Sequence, residues 1–232
     1  MIYIKYLERK FTTMKRNCSL EEISDGRLYD INDMVKADCL DCVGCSECCT
    51  GMGNSIVLDP LDIVRMKSAV SGDFGVLMSS SYIELNVVDG IILPNLKMNS
   101  QNEKCGFLSD EGRCSIHDFR PGICRIFPLG RYYENGKHRY FLQVNECINK
   151  NRAKIKVSKW IDTPGFKEYE KYIDDWHFFL VKIQEKLEDA DDIFIKDTSM
   201  YILNNFYILP FEDGFYSGFE ERLCKAEKEL LR

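Results

Sequence analysis

The residues of this chain that are best suited to chemistry are its cysteines. The chain has 232 residues and 11 cysteines, nine of which lie between positions 39 and 147. Five of the nine form one run, Cys39-x-x-Cys42-x-x-Cys45-x-x-Cys48-Cys49. Zinc sites and iron–sulfur sites both use cysteines spaced in this way, because two thiolates from one tight turn can then reach the same ion or cluster. The run therefore predicts a metal site.

Two features of the run bear on how it would bind metal. The side chains of Cys48 and Cys49 are adjacent and point in different directions, so a second metal or a spare redox thiol is an open alternative. Glycines at 44, 51 and 53 allow positive φ and close approach of backbone N–H groups to sulfur. A surface loop with oxidisable thiols is the competing interpretation, which five such thiols in eleven residues disfavour.

Further cysteines stand alone in later segments of the chain. A lone cysteine is often a small buried hydrophobic residue, so each is weak evidence by itself. Together with the run, they are expected to supply the distal ligands that close the site. The predicted metal ligands are Cys39, Cys42, Cys45, Cys48, Cys49, Cys105, Cys114, Cys124 and Cys147.

Two arginines flank Cys124 and are predicted to bind the cofactor. Arg120 precedes Pro121, which favours a tight turn, and Arg125 directly follows the cysteine. Four thiolates on Zn(II) or on an oxidised four-iron cluster leave about two net negative charges, which nearby arginines would stabilise. The competing interpretation places both arginines on a solvated loop.

Some cysteines and histidines are not predicted to be ligands. Cys18 is isolated, and Cys224 falls away from the apolar stripe of the last predicted helix. His117 follows Cys114 by three positions and could bind zinc. We expect a packing residue there instead, because a lone histidine completes no ligand pattern.

The order of these motifs resembles a known family over roughly residues 39 to 130. The motifs are Cys42-x2-Cys45-x2-Cys48-Cys49, Cys105-x-Phe107-Leu108, Cys114-x-Ile116 and Arg120-Pro121-x-x-Cys124-Arg125. The set is similar to the YkgJ-type cysteine-cluster family (CxxCxxCC), a zinc- or iron-chelating domain. The flanks are similar to a longer bacterial subgroup of it, at Ile23–Gly26, Asp33–Asp38 and Trp160–Pro164.

The resemblance implies that the chain chelates zinc or iron. A related cysteine cluster occurs in the bacterial flagellin lysine methylase, which implies an iron–sulfur cluster. His117 stands where the family more often has tyrosine. Cys39 and Cys147 lie outside the seven-cysteine core of the family, so the resemblance supports those two ligands less firmly.

The segments that must position these cysteines combine hairpins with helices. Alternating apolar residues predict hairpins at 83–93 and 131–142, which turn at Asp89-Gly90 and Asn135-Gly136. A short strand is expected at Ser55–Leu58. Asp59 and Pro60 then predict the start of a helix that ends near Val70.

After residue 150 the chain turns to long amphipathic segments. A stripe at helical spacing predicts one buried helix face, formed by Tyr169, Tyr172, Ile173, Trp176, Phe179, Leu180, Ile183 and Leu187. Shorter helices are expected at Thr198–Leu209 and along 216–230.

These elements predict an α+β fold. A small cysteine-rich domain with short strands and hairpins around a metal site is expected to pack against a C-terminal set of amphipathic helices. We divide the chain into a loosely ordered extension at 1–16, a cysteine-cluster domain at 17–150 and a helical region at 151–232 packed on it.

Composition and charge exclude several classes of protein. The formal net charge is −6, which argues against a general nucleic-acid binder because such a protein needs a basic face. No apolar stretch approaches the ~20 residues of a membrane span, so no membrane association is expected. The first residues do not resemble a secretory signal. We therefore expect a cytoplasmic protein whose thiols stay reduced.

Several functions stay open from the sequence. The first is an iron–sulfur protein, with a 4Fe–4S cluster, that acts in electron transfer, redox sensing or as an enzyme accessory. The second is a zinc-stabilised module whose helical half binds a protein partner. The third is a protein-lysine methyltransferase-like enzyme, which is weakest because the chain has no glycine-rich nucleotide loop after a strand and no Ser–His–Asp set. Whether the chain is an enzyme stays open, and thiolate ligation fits both zinc and iron–sulfur.

Overall fold

A computed structural model describes residues 19–38, 45–144, 146–147, 149, 151–212 and 214–232. Cys18, Cys39 and Cys42 lie outside these ranges, so what the sequence predicts for them stays a prediction. The same holds for the extension predicted at 1–16.

The described strands are short and antiparallel. In chain order they are β1 (Ser24–Tyr29), β2 (Met34–Asp38), β3 (Ile83–Val88), β4 (Ile91–Leu96), β5 (Leu129–Glu134), β6 (Lys137–Gln143) and β7 (Ala153–Lys156). They form a three-stranded sheet in the order β1-β6-β5 and two separate pairs, β2-β7 and β3-β4.

The helices of the first part of the chain are short, and those of the second part are long. In chain order they are α1 (Leu20–Ile23), α2 (Pro60–Val70), α3 (Phe74–Ser79), α4 (Gly122–Ile126), α5 (Val157–Ile161), α6 (Phe166–Leu187), α7 (Asp192–Ile202) and α8 (Phe215–Leu230). Single 3-10 turns lie at Glu47–Cys49 and His117–Phe119, and a π-helical segment, Leu203–Ile208, continues α7. Among the described residues, no helix is both long and apolar enough to cross a bilayer.

Both predicted hairpins are present. The β3-β4 turn at Asp89-Gly90 has φ angles of 49° and 88°, and the β5-β6 turn at Asn135-Gly136 has φ angles of 53° and 78°. Positive φ at both central residues is what a two-residue hairpin turn requires, and it explains why asparagine, aspartate and glycine occupy these positions.

The predicted start of α2 is also confirmed. The side chain of Asp59 accepts a hydrogen bond from Asp62 N, and the Asp62 side chain accepts one from Asp59 N. This reciprocal pair is a capping box, and it satisfies two N–H groups that a helix start leaves without partners. At the other end Ser71 adopts a left-handed conformation that stops the helix.

The aromatic stripe of α6 forms the core between the two parts of the chain. All eight stripe residues predicted from the sequence are buried. Tyr172 Oη accepts a hydrogen bond from Leu61 N at 3.1 Å, and Tyr207 Oη donates to Leu58 O at 3.0 Å. The C-terminal helices therefore pack on the segment that carries α2, and the α+β architecture predicted from the sequence is confirmed.

Two elements differ from what the sequence predicts. The helix expected from Thr198 begins at Asp192, because the Asp191 side chain caps it by accepting a hydrogen bond from Phe194 N at 2.8 Å. The strand expected at Ser55–Leu58 is reduced to a single bridge between Val57 and Asn95. This segment borders β4 without continuous pairing.

Candidate metal centre

Six of the predicted ligands line one cavity of about 450 Å³. They are Cys45, Cys48, Cys49, Cys105, Cys114 and Cys124. They come from three segments that are far apart in the sequence, so the fold must bring them together. Their role as metal ligands stays a prediction.

The first segment reaches the cavity through the 3-10 turn at Glu47–Cys49. The Sγ atoms of Cys48 and Cys49 lie 3.9 Å apart and both residues line the cavity, so the expectation that these adjacent side chains point in different directions is wrong. Cys49 O accepts a hydrogen bond from Cys105 N at 2.8 Å, and Gly51 N donates to Glu103 O at 2.9 Å. This short antiparallel contact joins the cysteine run to the second segment.

The second segment folds back on itself, which places its two cysteines on the same cavity. Leu108 and Cys114 form a bridge, and Ser115 N donates to Phe107 O at 2.8 Å. Phe107 N lies 3.5 Å from the Sγ atom of Cys105 and donates to it. A backbone N–H directed at sulfur is the kind of donor that tunes a metal–thiolate bond.

The third segment is α4, which carries Cys124. Gly122 N donates to Asp62 Oδ1 at 2.6 Å, so the start of α4 is attached to α2. A Cβ atom at Gly122 would lie 2.8 Å from Tyr169 Oη, which is closer than real Cβ contacts allow. A side chain at position 122 would therefore displace Tyr169, so glycine allows the close approach of α4 to α6.

The pKa values of four of the cavity thiols are raised. Desolvation raises the pKa of Cys105 to about 11 and raises the pKa values of Cys114 and Cys124. The pKa of Cys48 is raised by its hydrogen bond with Cys49 and then by desolvation. Neutral thiols are thus favoured without metal, and metal binding would release protons.

Arg120 is the cation that acts on these thiols. Its charge lowers the pKa values of Cys48 and Cys114, against the larger effects that raise them. Its guanidinium contacts His117 Nε2, and its Nε is buried without a hydrogen-bond partner among the described residues. The Arg120 guanidinium therefore supplies positive charge near the thiols of Cys48 and Cys114.

Arg125 is buried at the wall of the cavity, and its predicted role in binding the cofactor stays a prediction. It is 7% exposed, and it donates from Nη1 to Asp162 O at 3.1 Å and from Nη2 to Asp118 O at 2.6 Å. It lines the cavity, but these carbonyl contacts also hold the 3-10 turn at His117–Phe119 to the end of α5. A solvated loop position is therefore excluded for Arg125.

Two other described cysteines, Cys147 and Cys224, do not line the cavity. Cys147 is half-buried and is not among the residues that line it. Cys224 is exposed on α8 and borders a separate groove beside Lys171 and Glu220. The sequence predicted Cys224 to be a non-ligand, and nothing in its position suggests otherwise.

The cavity wall contains residues that spacing arguments did not reveal. Lys159 and Trp160, from α5, line it together with Phe127. Trp160 Nε1 lies within hydrogen-bond distance of two carbonyl oxygens, Ile126 O at 3.1 Å and Phe127 O at 3.2 Å, which attaches α5 to the end of α4. The sequence feature that could have indicated these residues is the similarity of Trp160–Pro164 to a flanking segment of the family's bacterial subgroup.

The donor set fits a thiolate-bound centre, although its sulfurs surround a space and do not meet at a point. Among the residues that the structure describes, no group of three histidine, cysteine, aspartate or glutamate side chains is placed so that it could hold a metal ion. Thiolates are nevertheless the donors that zinc and iron–sulfur clusters share. Aromatic and aliphatic residues complete the wall, namely Phe107, Ile116, Phe127, Ile155 and Trp160.

Comparison with known proteins agrees with this donor set. Residues 41–148 match the family model CxxCxxCC, described as a putative zinc- or iron-chelating domain. No curated protein and no solved structure matches the chain. The resemblance predicted from the cysteine motifs is confirmed, and residues 41–148 of this chain are similar to the CxxCxxCC family.

Proposed function

We propose that this protein holds an iron–sulfur cluster of the 4Fe–4S type and acts in electron transfer, redox sensing or as an accessory to an enzyme. The ligands come from the predicted cysteine set, and the protein works in the cytoplasm, where thiols remain reduced. When bound, the cluster would supply one-electron chemistry.

The arrangement of sulfurs around a cavity is the observation that carries this proposal. A structural zinc site is closed, with four donors converging on one ion. Here six cysteines border a cavity of about 450 Å³. Thiols spread over the wall of a cavity suit a group of several atoms better than they suit a single ion.

The charges and the wall of the cavity also support a cluster. Thiolate-bound clusters carry net negative charge, which the Arg120 guanidinium would offset from its position near Cys48 and Cys114. The Phe107 N–H, directed at the Cys105 Sγ atom, would stabilise negative charge on that sulfur. Apolar side chains around the cavity would limit water, which affects the potential of a redox centre.

A zinc-stabilised module that binds a protein partner is the second candidate. The family description names zinc and iron together, which is the observation in its favour. Zinc has no redox chemistry, so this alternative predicts a structural role for the cysteines and a binding role for the helices.

Anaerobic purification followed by absorption spectroscopy and metal analysis distinguishes the two candidates. The proposal expects a brown protein with broad visible absorption, and with iron and acid-labile sulfide in equal amounts. Cys45→Ser should reduce both, whereas the exposed control Cys224→Ser should not. A colourless protein that contains about one zinc per chain and no sulfide would overturn the cluster and support the zinc module.

A further inference from the structure

The outer edge of β3 is a surface that the proposed metal function does not use. β3 pairs only with β4 among the described strands. The far side of β4 is occupied: Leu58 N donates to Pro94 O and Leu96 N donates to Ile56 O, both at 2.9 Å. Ile92 N donates to Ser199 Oγ on α7 at 3.2 Å. Among the described residues, β3 is therefore the edge of this hairpin that has no neighbouring segment.

The pairing register shows which groups of β3 face outward. Val87 lies opposite Ile92, Leu85 opposite Pro94 and Ile83 opposite Leu96. Residues 92, 94 and 96 direct their backbone groups away from β3, as their bonds to other segments show. In an antiparallel pair, opposite residues either both face each other or both face away. The N–H and C=O groups of Ile83, Leu85 and Val87 therefore point out of the hairpin.

These outward groups lack protection within the described part of the chain. No backbone hydrogen bond between described residues reaches them. The side chains of Leu85 and Val87 are 39% and 72% exposed. Natural edge strands usually carry charged side chains, a proline or a bulge that prevents pairing with another chain; β3 has neither a proline nor a bulge across its register with β4, and Glu84 is its one charged residue.

We propose that β3 pairs with β3 of a second copy of this chain, antiparallel across a two-fold axis at Leu85, to form a continuous four-stranded sheet. In this register Leu85 faces the partner's Leu85, and Ile83 faces the partner's Val87. Glu84 faces the partner's Asn86; Asn86 Nδ2 already donates to Glu84 Oε1 of its own strand at 3.2 Å, and the register places a second amide beside each carboxylate. The strand is complementary to itself, which a two-fold interface requires.

Neighbouring registers are worse for stated reasons. A pairing centred on Glu84 would place two carboxylates opposite each other, which is destabilising. A pairing centred on Asn86 or Val87 would run into the turn at Asp89, where φ is 49° and the backbone is no longer extended. The Leu85 register alone uses all three outward-facing residues.

The experiment is sedimentation velocity of the metal-loaded protein over a wide range of concentrations. One strand pair is smaller than a standard stable interface, so a reversible, concentration-dependent dimer is expected. The double variant Leu85→Lys, Val87→Lys should weaken dimerisation at least about tenfold, since charged edge residues oppose strand pairing. The control Ile193→Lys, which changes an exposed apolar residue of α7 (72% exposed), should dimerise like the wild type.

Amide hydrogen exchange tests the edge directly and does not depend on the double variant folding. In the wild type, exchange at Leu85 and Val87 should slow as the concentration rises into the dimer range, while Glu84 and Asn86, which bond to β4 in the monomer, should change little. A wild type that stays monomeric at the highest concentration would overturn the proposal. So would a dimer whose protection appears elsewhere, or one that Ile193→Lys weakens as much as the double variant does.

Discussion

The cysteine segment at the cavity and the aromatic core of α6 differ in how much apolar surface they bury. Between residues 45 and 55 no side chain is fully buried, and the largest apolar residue is the half-buried Met52. Around α6, aromatic rings pack against one another: Trp176 lies 5.0 Å from Phe206 and 5.7 Å from Phe179 between ring centroids. The cysteine segment therefore has little apolar surface to bury, whereas the α6 core consists of buried aromatic side chains.

This difference indicates what holds each region in place. Ordering a backbone costs ~1–2 kcal/mol per residue, and buried aromatic surface is what normally offsets that cost. The α6 core has that surface. The cysteine segment does not, and glycine at 51 and 53, both at positive φ, adds to its ordering cost. We propose that metal–thiolate bonds compensate for this cost in the cysteine segment.

The largest expected effect comes from removing a ligand of the cysteine wall. Cys45→Ser and Cys48→Ser should each lower metal content and thermal stability together, because structural metal sites can contribute ~10–16 kcal/mol of apparent binding free energy. Even a loss of ~5 kcal/mol would lower the melting temperature by ~10 °C or more at this chain length. Metal analysis and calorimetry under anaerobic conditions measure both quantities.

Cys224→Ser is the matched control, because this thiol is exposed on α8 and outside the cavity. Cys224→Ser should change neither the metal content nor the thermal stability. A Cys45→Ser protein with full metal content and an unchanged melting temperature would refute the proposed dependence of this region on metal.

The second-largest effect is expected from a substitution in the aromatic core of α6. Phe179→Ala should reduce the free energy of unfolding by ~3–5 kcal/mol, since the side chain is 1% exposed and its removal leaves a cavity. Metal content per folded chain should stay at the wild-type value. Denaturant unfolding measures the free energy of unfolding. Metal analysis at denaturant concentrations below the unfolding transition measures the metal content of the folded chain. If metal content fell in proportion to stability, the two regions would not be separable.

The third effect lies at the contact between the regions. Gly122→Ala should cost ~1–3 kcal/mol by overpacking, because the new Cβ atom would lie 2.8 Å from Tyr169 Oη. The same change should disturb Cys124 and lower metal content. In a Tyr169→Phe background the hydroxyl is absent, so adding Gly122→Ala should cost much less. This double-mutant cycle isolates the contact, and an equal cost in both backgrounds would contradict it.

The smallest effect concerns pH. Burial lowers the pKa of His177 to about 4, and the ring stacks on Tyr133 at 3.5 Å between centroids. The nearby Asp174 raises this pKa, whereas His138 and Arg131 lower it further. The unfolded chain therefore binds more protons between pH 6.5 and 4, so stability falls as the pH drops through this window.

After allowance for the partial exposure of the ring, His177 should account for ~1–2 kcal/mol of this loss. His177→Phe retains the stacking and removes the titration, so it should lose less stability between pH 7 and pH 4.5 than the wild type does. Urea unfolding at the two pH values gives the comparison. Parallel losses in both proteins would show that His177 does not contribute.

Local signals were sufficient for several elements. Asp59 and Pro60 predicted the start of α2, and Asp89-Gly90 predicted the turn between β3 and β4, because caps and tight turns depend on a few neighbouring residues. The eight-residue stripe predicted the buried face of α6. The start of α7 could not be predicted in this way, because the Asp191 cap lies in an acidic stretch where neighbouring carboxylates are equally suitable caps.

Long-range pairing could not be predicted in the same way. β2 and β7 pair with Val35 opposite Ile155, across the predicted boundary at residue 150. Both strands are short: β2 buries only Val35 and Ala37, and β7 has no fully buried residue, so neither carries a strong signal. The division into domains remains a prediction, and this pairing is a contact that sequence patterns did not indicate.

The sequence by itself determined the chemistry of the donors, because cysteines at two-residue spacing are soft ligands wherever the fold places them. It also determined the buried face of α6, since helical periodicity is a local property. Only the tertiary structure decided which thiols share a cavity. The bond from Cys105 N to Cys49 O and the contact of Gly122 with Tyr169 join segments far apart in the chain. Such contacts depend on the packing of the whole core, and no local pattern encodes them.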